Sequence, residues 1–402
     1  MVIVQQKIDW KKLFGQACIA ALIGALLFFH LIGLPTVQLE GKLTVEPNWL
    51  GFSLAVVSVF ILRLGVGALG GLRLPSLKIP AGQKFYTQVM IGLLAAAIIL
   101  PFTPLSNRYV LDVLTLIFTY MVLACGLNIV VGLTGLLDLG FVAFYAIGAY
   151  SFSLLALKTG LSFWQALPFS ILLAALAAFV LGLIVLRLRG DYLAIVTLGF
   201  AEILRIVLLN WTMLTNGPNG LTGIPRPQFF GLTFEPAQRV LYLYYLAILF
   251  FVGVMLFTQR LRRLPLGRAF EAVREDELAA QAMGINLTRT RLTAYVLAAC
   301  CGALAGAFFA TRQGFVSPES FTFVESGLVL AIVVLAGMGH PLGIMLGAAF
   351  LVGLPEVFRS LQDYRLIAFG AGMVLIMIWR PEGLFALRPP AVTLPFTNKD
   401  ST

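Results

Sequence analysis

Runs of about twenty consecutive apolar residues recur along most of the chain, and no other feature limits its possible folds so strongly. A soluble globule has no way to cover so many of them. In lipid, every backbone N–H and C=O must be bonded within its own segment, so the runs are read as helices. Composition agrees: 60% of the 402 residues are hydrophobic and 11% charged, against about 25% charged in a soluble domain. The expected fold is therefore all-α, a polytopic integral membrane protein. This excludes a soluble enzyme, a nucleic-acid-binding domain and a disordered regulator. The formal charge of +10 is a topological signal, because Lys and Arg gather in loops that stay cytoplasmic.

The spans are placed near 13–34, 50–70, 86–103, 109–132, 139–157, 165–187, 192–212, 239–259 and 292–310, followed by an apolar region from 327 to 379. Gly337, Gly339 and Pro341 interrupt that last region, since a proline behind two glycines cannot continue a straight helix. It divides into 327–337, 342–357 and 365–379, the first two shorter than a full span; a plain kink between packed helices is the alternative. Ten or eleven crossings result, some of them short interrupted helices. Arg260, Arg262, Arg263, Arg268, Arg274, Arg289 and Arg291 assign the loop 260–291 to the cytoplasm. Arg187 and Arg189 mark a second inner loop, while the loop 213–237, with only Arg226 and Glu235, faces outside. Lys7, Lys11 and Lys12 before an uncleaved first span, for which a cleaved signal peptide is the alternative, and Arg380 with Arg388 after the last, put both termini in the cytoplasm.

Several chemistries are missing. No G-x-x-x-x-G-K-[ST] loop is present to cradle phosphates. No G-x-S-x-G elbow or Cys–His pair offers a nucleophile, and two histidines with no H-E-x-x-H build no zinc site. Cys18, Cys125, Cys300 and Cys301 each lie in apolar runs and behave as small hydrophobes. No catalytic, metal or cofactor residue is assigned. Any coupling to ATP comes from partner subunits that bind it.

The cytoplasmic loop carries a pattern of its own. Leu266, Phe270 and Val273 form an apolar stripe at i, i+4 and i+7, with Arg268, Glu271, Arg274 and Glu275 on the other faces of a short amphipathic helix. Glu271 and Glu275, four apart, repel one another, so an acidic face left unpaired would answer a basic surface on another protein; a solvated tether is the alternative. Glu277, Ala279 and Ala280 follow, and Gly284 suits a helix C-cap.

Here the residues resemble a known family. Ala279 and Ala280 followed by Gly284 are similar to the E-A-A-x-x-x-G loop by which permease subunits of ABC importers dock onto their ATPases, with Leu278 standing where the motif has Glu and Glu277 one position earlier. Longer stretches, Gly126–Gly135, Phe144–Tyr150, Leu186–Phe200, Gly217–Gly220, Pro265–Ala269, Arg312–Phe323 and Ile378–Leu384, resemble the LivM type of permease subunit of branched-chain amino acid ABC importers. The resemblance covers about 109–388. It implies a core domain over 109–388, extra N-terminal spans over 1–108 and a tail over 389–402. It also implies a multi-pass inner-membrane subunit that forms half of a translocation pathway for leucine, isoleucine and valine. The expected partners are a second, LivH-like permease, two cytoplasmic ATPases, an external substrate-binding protein and the lipid bilayer, with no nucleic acid. The ATPase-coupling residues are then Arg268, Glu271, Arg274, Glu275, Glu277, Ala279, Ala280 and Gly284.

Polar residues inside the spans are candidates for the pathway, because such groups are costly at membrane depth unless they face protein or water. Asn128 and Asp138 interrupt apolar sequence; a helix-packing hydrogen bond is the alternative for the first, and solvation at a loop tip for the second. Glu202 and Arg205, at i and i+3, share a helix face as an ion pair that is structural or lines the pathway. Rival readings are the same architecture carrying urea or another amino acid, and an ion-coupled secondary transporter; the second would need paired acidic residues in corresponding halves, and no such repeat is evident.

Overall fold

The computed structural model describes residues 83–357 apart from 105–106, 186–190, 228–235 and 338, together with isolated stretches between 14 and 61 and residue 370. Most of the expected first span and of the run 365–379 lies outside these residues, as do Arg187, Arg189, Glu235, Arg380 and Arg388. The chain divides into two compact units, 1–85 and 86–402. In the first, strands β1 (Thr36–Leu39) and β2 (Lys42–Val45) pair antiparallel, Thr36 opposite Val45.

α1 (Gln83–Ile99) begins just before the second unit. α2 (Arg108–Asn128) continues into a π-turn at Ile129–Leu133. α3 (Val142–Thr159), α4 (Phe163–Val185), α5 (Asp191–Asn210) and the single turn α6 (Thr212–Thr215) follow. Strand β3 (Leu221–Thr222) precedes α7 (Pro236–Arg263), α8 (Pro265–Glu275), α9 (Glu277–Ala282) and α10 (Leu287–Gln313). Strand β4 (Phe315–Val316) pairs antiparallel with β3, and α11 (Phe323–Ala336) and α12 (Pro341–Val357) close the described part. Among the described residues seven helical segments are long and apolar enough to cross a membrane, with shorter apolar helices at Gln88–Phe102 and Pro341–Gly353. The protein is thus a helical, multi-pass membrane protein. The expected break falls where the glycines and Pro341 place it, between α11 and α12.

Two helices hold the bundle together. α10 packs on α3, α4 and α2, and α2 in turn packs on α7, α11 and α12. Lipid tails are as apolar as leucine, so helices gain from close contact rather than from leaving water, and small residues permit that contact. α10 supplies them in Ala294, Ala298, Ala299, Gly302, Ala303, Gly306 and Ala310, all buried. A Cβ placed on Gly148 of α3 would lie 2.4 Å from the Ala303 Cα, and one on Gly306 would lie 2.1 Å from the Tyr145 carbonyl oxygen. Threonine hydroxyls inside the spans donate to the preceding turn, as Thr115 does to Leu111 O (2.6 Å) and Thr311 to Ala307 O (2.9 Å).

Candidate functional site

The loop after α7 is folded against the end of the bundle. Pro at the start of α8 is tolerated because the first N–H groups of a helix have no intrahelical partner. The buried stripe of α8 consists of Gly267, Phe270 and Val273, Phe270 being fully enclosed. Leu266, expected in that stripe, is instead 45% exposed. Gly267 takes the place beside the end of α7, where a Cβ would come within 2.2 Å of the Leu261 carbonyl oxygen. Only hydrogen fits there.

Charged residues then fasten α8 to the spans. Arg262 donates from Nε (3.0 Å) and Nη2 (2.8 Å) to Glu271, and from Nη1 to Gly339 O (3.1 Å). The Gly339 N–H donates to Asn128 Oδ1 at 2.8 Å. The Gly339 peptide, in the break between α11 and α12, is therefore gripped by the last turn of α7 on one side and the last turn of α2 on the other. Arg274 donates to Gly132 O at 2.5 Å, inside the π-turn, where carbonyls at a helix end need an outside donor. His340, beside this junction, has its pKa lowered by burial and further by the Arg262 charge.

The next turn is fixed by its caps. Asp276 Oδ1 accepts from Leu278 N (2.8 Å) and Ala279 N (2.9 Å), a side-chain N-cap for α9. Ile285 N–H donates to Ala280 O and Gly284 N–H to Gln281 O, with Gly284 at φ 86; this is the Schellman pattern, with a left-handed residue just past the helix. Glu277 forms an ion pair with Arg291, a residue only 5% exposed.

The acidic face expected to be unpaired is thus largely spent inside the chain. Glu271 holds Arg262 and Glu277 holds Arg291, and of the acidic coupling candidates Glu275 alone is exposed and without an ion pair among the described residues. Arg268 and Ala279 are exposed, whereas Ala280 is buried. The outward face carries apolar side chains as well: Leu278 is 71% and Met283 83% exposed.

The four intramembrane candidates do not converge. Asn128 is a packing residue, its oxygen spent on Gly339. Asp138 is no solvated loop tip: it is buried, Oδ1 accepts from Gly140 N (2.8 Å), and Oδ2 has no hydrogen-bond partner among the described residues. The turn that carries it is clamped by Thr197 Oγ1 on Leu139 N (3.2 Å) and by Ser326 Oγ donating to Leu139 O (2.6 Å). Glu202 and Arg205 form a bidentate ion pair within α5, a helix on which Ile203, Ile206 and Val207 are exposed. Exchanging the two, with Glu202→Arg and Arg205→Glu together, should restore the expression lost in either single variant; measured membrane levels that stay low in the double variant would argue against a structural pair.

Arg262, Arg291 and Gly339 were missed as individual site residues, because their partners sit on other helices and no spacing along the chain marks them.

A model of the permease component of branched-chain amino acid transport systems matches residues 109–377. The chain is 44% identical over 415 aligned positions, 93% of its length and 96% of the relative's, to the high-affinity branched-chain amino acid transport system permease protein LivM of Escherichia coli K12. It is equally similar to the LivM protein of Salmonella typhimurium LT2. The autoinducer 2 import system permease protein LsrC of Enterobacter sp. strain 638 is 31% identical over 57% of this chain and 66% of its own. No solved structure matches.

Proposed function

The chain belongs to the family of permease components of branched-chain amino acid transport systems, and from that premise we propose that it forms one half of the membrane pathway of an ATP-driven importer for leucine, isoleucine and valine. It is a transport component rather than an enzyme. The partners are a second permease, two cytoplasmic ATPases that bind and hydrolyse ATP, and an external substrate-binding protein, assembled in the inner membrane with both termini of this chain inside.

The observation that carries the mechanism is the double grip on Gly339. An ATPase seated on the outward face of α8 and α9, against Arg268, Glu275, Leu278 and Met283, would move a body already tied to the ends of α2 and α7 and to the α11–α12 break. Exposed apolar side chains on a loop braced from behind suit a protein contact. The partner shifts the equilibrium between inward- and outward-open states only as far as it binds one more tightly.

ATP-dependent uptake of labelled leucine into proteoliposomes containing all four kinds of subunit is the test, beside the same mixture without this chain. Accumulation that vanishes on omission supports the reading. Urea accumulating in place of leucine would overturn the cargo, and accumulation by this chain alone under an ion gradient would overturn the mechanism. Glu275→Lys should lower uptake while membrane levels hold.

A further inference from the structure

Two of the seven apolar spans, α4 and α5, are less buried than the others, and they differ in what they expose. α4 has no Asp, Glu, Lys or Arg between Phe163 and Val185, and its open side chains include Phe169, Leu172, Leu176, Phe179 and Leu183. Lipid tails are as apolar as these side chains, so that face needs no protein cover. α5 is as open but carries a carboxylate and a guanidinium. Glu202 lies in the middle third of the helix, and its side chain is 42% exposed.

The ion pair is closed on itself but not fully satisfied. Arg205 Nε donates to both Glu202 carboxylate oxygens at 3.0 Å and Nη2 donates to one of them, whereas Nη1 has no hydrogen-bond partner among the described residues. Ionisable groups at membrane depth are costly in lipid and almost always face protein or water. Beside the pair runs a stripe at three- and four-residue steps, Tyr192, Ile195, Gly199, Ile203, Ile206 and Asn210, which share one helix face. Ile195, Ile203 and Ile206 are exposed, and a Cβ on Gly199 would meet nothing within 4 Å. Apolar side chains around one small residue, repeating at this spacing, make a seam on which a second helix can come close. Glu202, three residues after Gly199 and seven after Ile195, borders that seam.

We propose that α5 is the helix this chain turns toward the second permease subunit, a span of which packs along the stripe and encloses the Glu202–Arg205 pair, while α4 faces lipid. The helix that fits presents small residues opposite Gly199 and a polar side chain that accepts from Arg205 Nη1. Contact of this kind takes the pair out of hydrocarbon without breaking it. The inference rests on the importer reading above, which supplies the second permease, and adds which helix meets it.

The test uses the complete assembled importer with the photoreactive amino acid benzoylphenylalanine at Ile203 or Ile206 of α5, or at Leu176 of α4. Illumination should join this chain to the second permease from either α5 position, whereas Leu176 should give adducts with lipid alone. A second arm reads assembly. Gly199→Leu should lower co-purification of the second permease about tenfold, the loss that about 1.4 kcal/mol of overpacking at the seam produces. Membrane levels of this chain should hold, because nothing of its own lies within 4 Å of that Cβ. Leu176→Phe should leave both unchanged. Adducts from α5 with lipid alone, with another segment of this chain or with a second copy of it would each overturn the interface, as would equal yields of the permease adduct from Ile203 and Leu176. Undiminished co-purification in Gly199→Leu would do the same. Absence of any second permease from the purified wild-type complex would instead overturn the importer reading.

Discussion

Gly148→Leu should leave the chain unable to assemble. A side chain at this position begins 2.4 Å from the Ala303 Cα and equally close to its carbonyl oxygen. These are backbone atoms of α10, so no rotamer change relieves the clash and α3 must move off its main neighbour. Overpacking against side chains alone costs about 1–3 kcal/mol, and a backbone collision lies at or beyond the top of that range. A folded protein holds only about 5–15 kcal/mol in reserve. Gly306→Leu should behave alike, since its Cβ meets the Tyr145 carbonyl oxygen at 2.1 Å. Gly253→Ala in α7 is the control, because nothing lies within 4 Å of its Cβ position. Membrane levels and co-purification with partner subunits measure the outcome; normal assembly of Gly148→Leu would mean that α3 and α10 do not pack as described.

Phe270→Ala should cut the proposed coupling through α8 while sparing the spans. Truncating a fully buried phenylalanine costs about 3–5 kcal/mol. That loss falls on an eleven-residue helix, shorter than the roughly 12–15 residues at which an isolated helix becomes even marginal in water. α8 owes its order to its seat, made by Phe270, Val273, Gly267 and the Arg262–Glu271 pair. Local unfolding there leaves the apolar segments unchanged. Uptake in proteoliposomes should fall about tenfold or more, the factor that follows each 1.4 kcal/mol of lost coupling at equilibrium, while insertion and thermal stability of the spans persist. Unimpaired uptake would remove α8 from the coupling route.

The positions of the spans between 108 and 336, the amphipathic character of α8 and the break before Pro341 were legible from the chain because each depends on neighbours in sequence. Apolar run length sets a crossing, the 3.6-residue repeat sets a buried face, and glycine with proline ends a helix. Within the buried face of α8 the choice was partly misread: Gly267 rather than Leu266 turns inward, and hydropathy gives no weight to a residue selected for lacking a side chain.

Pairing was another matter. Glu271 and Glu275 are alike in type and neighbourhood along the chain, yet one is neutralised by Arg262 and the other is left to solvent. Asp138, in a short polar-looking turn, is enclosed because α5 and α11 close over it through Thr197 and Ser326. Tyr120 and Glu325 are 205 residues apart and adjacent in space. Membrane insertion and local helix geometry were therefore determined by the sequence itself, since both are sums over adjacent residues. Which charge is answered within the chain and which is left for a partner was decided only by the tertiary packing, because Coulomb and hydrogen-bond energies depend on distance in space and not on separation along the chain.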